Sequence, residues 1–268
     1  MKFIDNARVI RNHKIRQDIH SMWLESPLIC QNSSPGQFVH LRVNNSFSPL
    51  LRRPLSIGRV HGNELELVWR IVGKGTEILA EAKEGESVDL LGPLGKPYSI
   101  SEHLETAILV AGGLGLPPLT YLYEKLIAAG VKTQLLLGVL NENSIPLSDK
   151  DPLFGSILIT SEEGELFRRG LVTEPVIDSL QNLENNGGIG KTSLYSCGPW
   201  GLIKALKKIV PHMKLLSAEV SLEQQMGCGI GICQGCAVPT EDDNDPFQLV
   251  CKDGPVFPLN EVRIPDAS

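Results

Sequence analysis

Apolar and polar positions alternate along much of residues 1–100. Three stretches carry the pattern: Gln37-Phe38-Val39-His40-Leu41-Arg42-Val43, Glu64 to Val72, and Ser87-Val88-Asp89-Leu90-Leu91. Ser-Pro-Gly, His-Gly-Asn and Lys-Glu-Gly-Glu segments separate them. Short strands at close spacing with such turns predict a small antiparallel barrel. One short helix, Thr76 to Ala82 with Thr76 as N-cap, is expected to interrupt it.

The pattern changes after residue 100. Thr106 to Ala111, Gln134 to Val139, Ser156 to Thr160 and Ser193 to Ser196 are strand-length runs, mostly continuous in apolar residues. Helical stretches follow at Pro118–Ala129 and Pro199–Val210, while Asn182 to Gly188 reads as a loop. Apolar strands alternating with helices indicate a parallel sheet covered on both faces. The fold class is therefore α+β multidomain: an antiparallel barrel over 1–100, an α/β parallel-sheet domain over 101–212, and a small cysteine-bearing unit over 213–268. A chain of 268 residues is long enough for more than one core.

Composition narrows the function. With 42% hydrophobic and 21% charged residues the chain is ordinary for a globular protein. Its formal charge of −6 argues against a nucleic-acid surface. No apolar run spans a bilayer, and Met1-Lys2-Phe3-Ile4-Asp5 does not open a signal peptide, so a cytoplasmic protein is expected.

Cys228, Cys233, Cys236 and Cys251 crowd into the last part of the chain, with spacers of four, two and fourteen residues. This C-x4-C-x2-C…C spacing is the plant-ferredoxin arrangement for a two-iron, two-sulfur (2Fe-2S) cluster. Gly227, Gly229, Gly231 and Gly235 supply the unusual backbone angles that bring amide N–H groups toward sulfur. The alternative is a structural zinc site, which would not need the Gly-Ile-Gly-Ile insertion.

Two further motifs point to phosphate-bearing ligands. Arg53-Pro54-Leu55-Ser56 sets an arginine on a barrel strand, where it can clamp a diphosphate, and Gly73-Lys74-Gly75-Thr76 opens a helix whose free N–H groups can face the same anion. Leu91-Gly92-Pro93-Leu94-Gly95 follows in the same order. Gly112-Gly113-Leu114-Gly115-Leu116-Pro117 joins a buried strand to a helix, as a pyrophosphate turn would, although Pro118 stands where a G-x-G-x-x-G motif has its third glycine. Ser196-Cys197-Gly198-Pro199 ends another strand at the same sheet edge. Asn141-Glu142, with no arginine beside them, favour NAD over NADP.

Together these residues resemble the ferredoxin reductase superfamily. The run from Ser221 to Cys236, with Val250-Cys251-Lys252-Asp253-Gly254-Pro255-Val256-Phe257, is similar to the electron-transfer subunits of type B dihydroorotate dehydrogenases. The resemblance implies FAD held by Arg53, Pro54, Leu55, Ser56, Arg70, Ile71, Val72, Gly75 and Thr76. It implies NAD facing Gly112, Gly113, Gly115 and Cys197, and iron held by the four clustered cysteines, with no catalytic acid or base assigned. It also implies an FMN-containing dihydroorotate dehydrogenase catalytic subunit as partner, two of each in a heterotetramer, with electrons passing from cluster to FAD to NAD in pyrimidine biosynthesis. The Glu163 to Gly170 loop departs from the family's Asp-Gly-Ser-x-Gly stretch. Three other readings share some of these features: a subunit of a sulfide dehydrogenase or transhydrogenase-type complex, a regulatory module without flavin, and a self-contained reductase with a ferredoxin tail.

Overall fold

A computed structural model describes residues 2–44, 46 and 48–265. Six strands close an antiparallel barrel: β1 (Phe3–Lys14), β2 (Ile19–Glu25), β3 (Phe38–Arg42), β4 (Arg53–His61), β5 (Glu64–Arg70) and β6 (Ser87–Leu94). Their order is β1-β2-β5-β4-β3-β6, with β6 returning to β1. Val9, Met22, Leu24, Val39, Leu41, Ile57, Leu65, Leu67 and Leu90 fill its interior. β1 and β2 carry a faint sequence signal. β1 contributes only Ala7 and Val9 to the core, and β2 is interrupted by the buried Ser21, which donates to Glu66.

Two helices belong to the barrel, α1 (Pro27–Asn32) and α2 (Lys74–Glu81). α2 starts two residues before the expected Thr76, with Gly73 at the N-cap. Thr76 is instead the third helical residue. Its hydroxyl accepts from the Val72 N–H (2.9 Å) and Gly73 N–H (3.2 Å) and donates to the Gly73 carbonyl (2.7 Å). The cap is made backward, from inside the first turn.

The second half of the chain forms strands β7 (Thr106–Gly112), β8 (Lys132–Val139), β9 (Ile157–Ser161), β10 (Arg168–Arg169), β11 (Thr192–Cys197), β12 (Ser217–Ser221), β13 (Ala237–Pro239), β14 (Phe247–Leu249) and β15 (Val256–Pro258). Its helices are α3 (Leu116–Ala128), α4 (Thr173–Asn185) and α5 (Trp200–Ile209). Seven strands make one sheet in the order β10-β9-β8-β7-β11-β12-β15, parallel except for β15, while β13 and β14 form a separate ribbon. The sheet thus runs past residue 212: β12 and β15, both within the 213–268 segment, extend it. The stretch read as a loop from Asn182 is helical through Asn185, because Val176, Leu180 and Leu183 continue the apolar stripe of α4 until Gly187 and Gly188 end it.

Strand alternation sorts the core into two layers. Ile108, Val110, Leu136, Leu194 and Val220 face α4 and α5; Leu109, Ala111, Leu135, Leu137 and Tyr195 face α3. Helix α3 also packs on β4, and its Tyr121 joins the barrel core. The junction carries a buried cation. Arg59 pairs with Glu66 (2.9 Å), Glu124 (2.9 Å) and Asp151 (2.8 Å). Burial opposes its charge, but Glu66, Asp151 and Glu124 outweigh that and hold the guanidinium ionised more firmly than usual. Among the described residues, no helix is long and apolar enough to cross a membrane.

Candidate functional site

Arg53 opens β4, and its Nη1 donates to the Leu51 carbonyl (2.6 Å). The rest of its guanidinium lies across the start of α2: a Cβ at Gly75 would sit 2.5 Å from Nε. A side chain at position 75 would push the guanidinium out of this position. Lys74 and Gly75, first in the helix, have no intrahelical acceptor for their N–H groups. A cation and unpaired amides therefore share one corner, as a diphosphate requires.

Pro54, Leu55 and Ser56 continue along β4, paired with His40, Val39 and Phe38 of β3. At the end of β5, Arg70 stands 3.0 Å from Asp18 but off the hydrogen-bond line, so its buried Nε is unsatisfied. The Ile71 N–H donates to the Asp18 carbonyl (2.7 Å), and Val72 projects outward, 80% exposed. The barrel residues expected at one ligand thus gather around the β4, β5 and α2 ends.

The second corner lies at the carboxyl edge of the parallel sheet. A single 3-10 turn, Gly113–Gly115, joins β7 to α3. A Cβ at Gly115 would fall 2.0 Å from the Cys197 carbonyl oxygen, and one at Gly112 would fall 2.6 Å from Pro199 Cδ. The two glycine-bearing turns are packed directly on each other, while Gly113 (φ +51°) has open space beside it. Cys197 is fully buried, and desolvation lifts its thiol well above the usual range. It faces this edge through its backbone, since its side chain belongs to the core beside α3.

Glu223 was not legible in the sequence. It follows β12, is exposed and lies near Cys197. Finding it required knowing that β12 ends at the same edge. The divergent loop folds as β10 against β9, and Arg168 turns to Asp178 (3.4 Å) and Glu174 (3.6 Å) of α4. Asn141 accepts from the Asn143 N–H (3.2 Å).

The third element is the cysteine loop. Among the described residues no three His, Cys, Asp or Glu side chains close on one point as a single ion would require. The sulfurs fall in two pairs. The Cys233 N–H donates to Cys228 Sγ (3.4 Å), and the Cys251 N–H donates to Cys236 Sγ (3.5 Å). The N–H groups of Ile230 (3.5 Å) and Ile232 (3.3 Å) also point at Cys228 Sγ. Burial opposes ionisation of Cys228, but these amides prevail and draw its thiol down to about 6. Cys251 is pushed up to about 12, first by burial and then by the Cys236 sulfur beside it. Two sulfurs per metal, with amides aimed at one of them, match the donor chemistry of a two-iron cluster.

This loop rests on the barrel. The Lys96 N–H donates to the Gly254 carbonyl (2.6 Å), and a Cβ at Gly95 would fall 2.3 Å from Pro255 Cδ. Phe38, Leu91 and Leu94 of the barrel share a core with Cys236, Val250 and Cys251. His40 lies in the same contact, fully buried, and burial together with the Arg52 cation lowers it to about 4.

Comparison with known proteins agrees with this assembly. The family described as the iron-sulfur cluster binding domain of dihydroorotate dehydrogenase B matches residues 223–263. A Bacillus cereus protein named dihydroorotate dehydrogenase B (NAD(+)), electron transfer subunit, is 40% identical over 96% of this chain and 97% of its own length. The chain belongs to this family of electron transfer subunits. A Bacillus mycoides member is 39% identical over the same shares. Among solved structures, the family's fold is matched by an NADH-dependent reduced ferredoxin-NADP oxidoreductase, described for flavin-based electron bifurcation. Its TM-score is 0.81 at 27% identity, over 97% of this chain and 90% of that one. Phthalate dioxygenase reductase shares the fold alone, with a TM-score of 0.65 at 16% identity over 92% and 94% of the two chains.

Proposed function

We propose that this chain carries electrons between a dihydroorotate-oxidising partner subunit and NAD, using a 2Fe-2S cluster and FAD. The observation that carries this reading is the contact of the cysteine loop with the flavin side of the barrel: His40, registered opposite Pro54, lies against Gly229, next to Cys228. The Arg53–Gly75 corner and the paired glycine turns at Gly112–Gly115 and Cys197–Pro199 supply the other two donor sets.

In this reading Cys228, Cys233, Cys236 and Cys251 hold iron, two cysteines to each iron. Arg53 and the first-turn amides of α2 hold the FAD diphosphate, while Pro54, Leu55, Ser56, Arg70, Ile71 and Val72 border the rest of the FAD. Gly112, Gly113 and Gly115 let the backbone approach the NAD pyrophosphate, with the Cys197 strand end beside them. A bound flavin supplies the adapter between two-electron exchange with a nicotinamide and one-electron exchange with iron. The chain's own part is to fix the ligands against one another and to keep the amides aimed at Cys228. The domains divide accordingly into an FAD-binding barrel over 1–100, an NAD-binding domain over 101–212 and a cluster unit over 213–268, the last sharing β12 and β15 with the sheet. The partner is an FMN-containing catalytic subunit, two of each chain assemble, and the complex is cytoplasmic.

The test is reconstitution. The chain with its cofactors should oxidise NADH with a dye, and should support NAD-dependent dihydroorotate oxidation only with an FMN-containing dihydroorotate dehydrogenase subunit added. Dihydroorotate turnover by the chain alone would overturn the assignment.

A further inference from the structure

His40 lies on β3, opposite Pro54 of β4, where the barrel meets the loop bearing the first cysteine. On β3 its neighbours Val39 and Leu41 point into the barrel. Alternation turns His40 outward with Phe38, toward the cysteine loop. Phe38 joins the apolar core there, but His40 brings two polar atoms into it. The residue is fully buried, and neither Nδ1 nor Nε2 completes a hydrogen bond. Leaving such groups unpaired is costly, so an apolar side chain would serve packing better.

The ring's surroundings are specific. A Cβ at Gly229 would lie 2.5 Å from Nδ1 and 3.2 Å from Cε1, so the imidazole lies against the Gly229 α-carbon. Gly229 has φ +70°, the left-handed conformation that lets the chain turn immediately after Cys228. The carbonyls of Cys228 and Arg52 both approach the ring nitrogens without meeting hydrogen-bond geometry. On the barrel side, His40 is registered opposite Pro54, and the Arg52 side chain donates to the His40 carbonyl (3.2 Å). The imidazole therefore spans from the Arg52–Pro54 segment to the Cys228 peptide.

We propose that His40 is a positioning residue for the cluster: it holds the Cys228–Gly229 peptide against the flavin-bearing barrel and adds a donor beside the first cysteine sulfur's backbone. This rests on the reading of the four cysteines as iron ligands. With the ring in place, Cys228 Sγ stays under the amides of Ile230, Ile232 and Cys233. Without it, the glycine turn is free to move away from β3, which loosens the amide donors that favour added negative charge at Cys228 Sγ.

The experiment uses the full-length chain loaded with iron, sulfide and FAD, in three forms: wild type, His40→Leu and His40→Asn. Iron release to a chelator and the cluster midpoint potential by EPR-monitored titration are measured together with FAD content. His40→Leu should release iron about 10- to 100-fold faster, the range for losing a residue that supports a metal ligand. Its cluster midpoint should move to a more negative potential, with FAD content unchanged. His40→Asn, which keeps an N–H donor in a smaller side chain, should recover most of both properties. If His40→Leu does not fold, His40→Ala takes its place with the same expected loss, and wild-type release and potential in it overturn the proposal. Wild-type release and potential in His40→Leu overturn it as well, as does His40→Asn failing as fully as His40→Leu. A wild-type chain that takes up no iron and sulfide would instead refute the ligand reading itself.

Discussion

In the parallel sheet, position follows from regular structure. Leu109 and Ala111 must face α3, and Ile108 and Val110 must face α4 and α5, so the turn after β7 arrives at the sheet edge without further instruction. The cysteine loop has no such frame. From Leu222 to Cys236 no helix or strand forms, and Gly229, Gly231 and Gln234 all take positive φ. Its sulfurs are held by backbone amides, by short β15 and by the outer face of the barrel. The comparison shows two routes to a fixed site: a repeating hydrophobic pattern in one region, and individual close contacts in the other. The first tolerates many substitutions, while the second depends on single residues.

The sharpest way to separate the regions is to remove one sulfur. No spare cysteine lies in the loop, so Cys233→Ala should abolish cluster assembly while leaving the barrel and sheet folded. Iron and acid-labile sulfide analysis, with circular dichroism on the same sample, checks both halves of that expectation. Next in size is the junction between barrel and sheet. Arg59→Leu leaves buried Glu66 and half-buried Asp151 without their cation and should cost about 3–5 kcal/mol, read by denaturant unfolding of the chain.

The flavin corner should respond less. Arg53→Ala removes a charge-assisted contact worth on the order of 1.5–3 kcal/mol, which corresponds to about 10- to 150-fold weaker FAD retention. Equilibrium dialysis measures it, and unchanged FAD content would remove Arg53 from the site. The smallest effect concerns the loop's outer surface. Ile232 is 76% exposed beside Cys233, whereas Ile230 is partly buried in the core and Phe257 is 3% exposed. Ile232→Glu should therefore slow partner-coupled turnover several-fold, about 1 kcal/mol of docking, and leave the NADH-to-dye rate unchanged. A fall in both rates would mean that Ile232 supports the loop and not the docking surface.

The same division explains what was legible in the sequence. The central strands β7, β8, β9 and β11 of the sheet and the helices α3 and α5 could be read from apolar runs, and the cysteine spacing and Arg53-Pro54 motif from their chemistry, while the short outer strands β10, β12 and β15 could not. β1 escaped because only Ala7 and Val9 of it are buried, and β2 because the buried polar Ser21 interrupts its apolar pattern. The sequence puts the N-cap at Thr76, three residues past the actual Gly73, because the Thr76 hydroxyl caps backward from within the helix. His40 carries no local signal at all: it matters through a residue far away in sequence, Gly229. Contacts of that kind become visible only when the chain is folded.

The central claim is that one chain joins a nicotinamide site, a flavin site and a cluster in electronic contact. The most direct measurement is anaerobic addition of NADH to the loaded wild-type chain without its partner, following flavin absorbance and the EPR spectrum together. The account predicts bleaching of the flavin and the appearance of the signal of a reduced two-iron cluster in the same sample. Flavin bleaching with no cluster signal at any NADH concentration, in a chain shown to hold two irons and two sulfides, would contradict it.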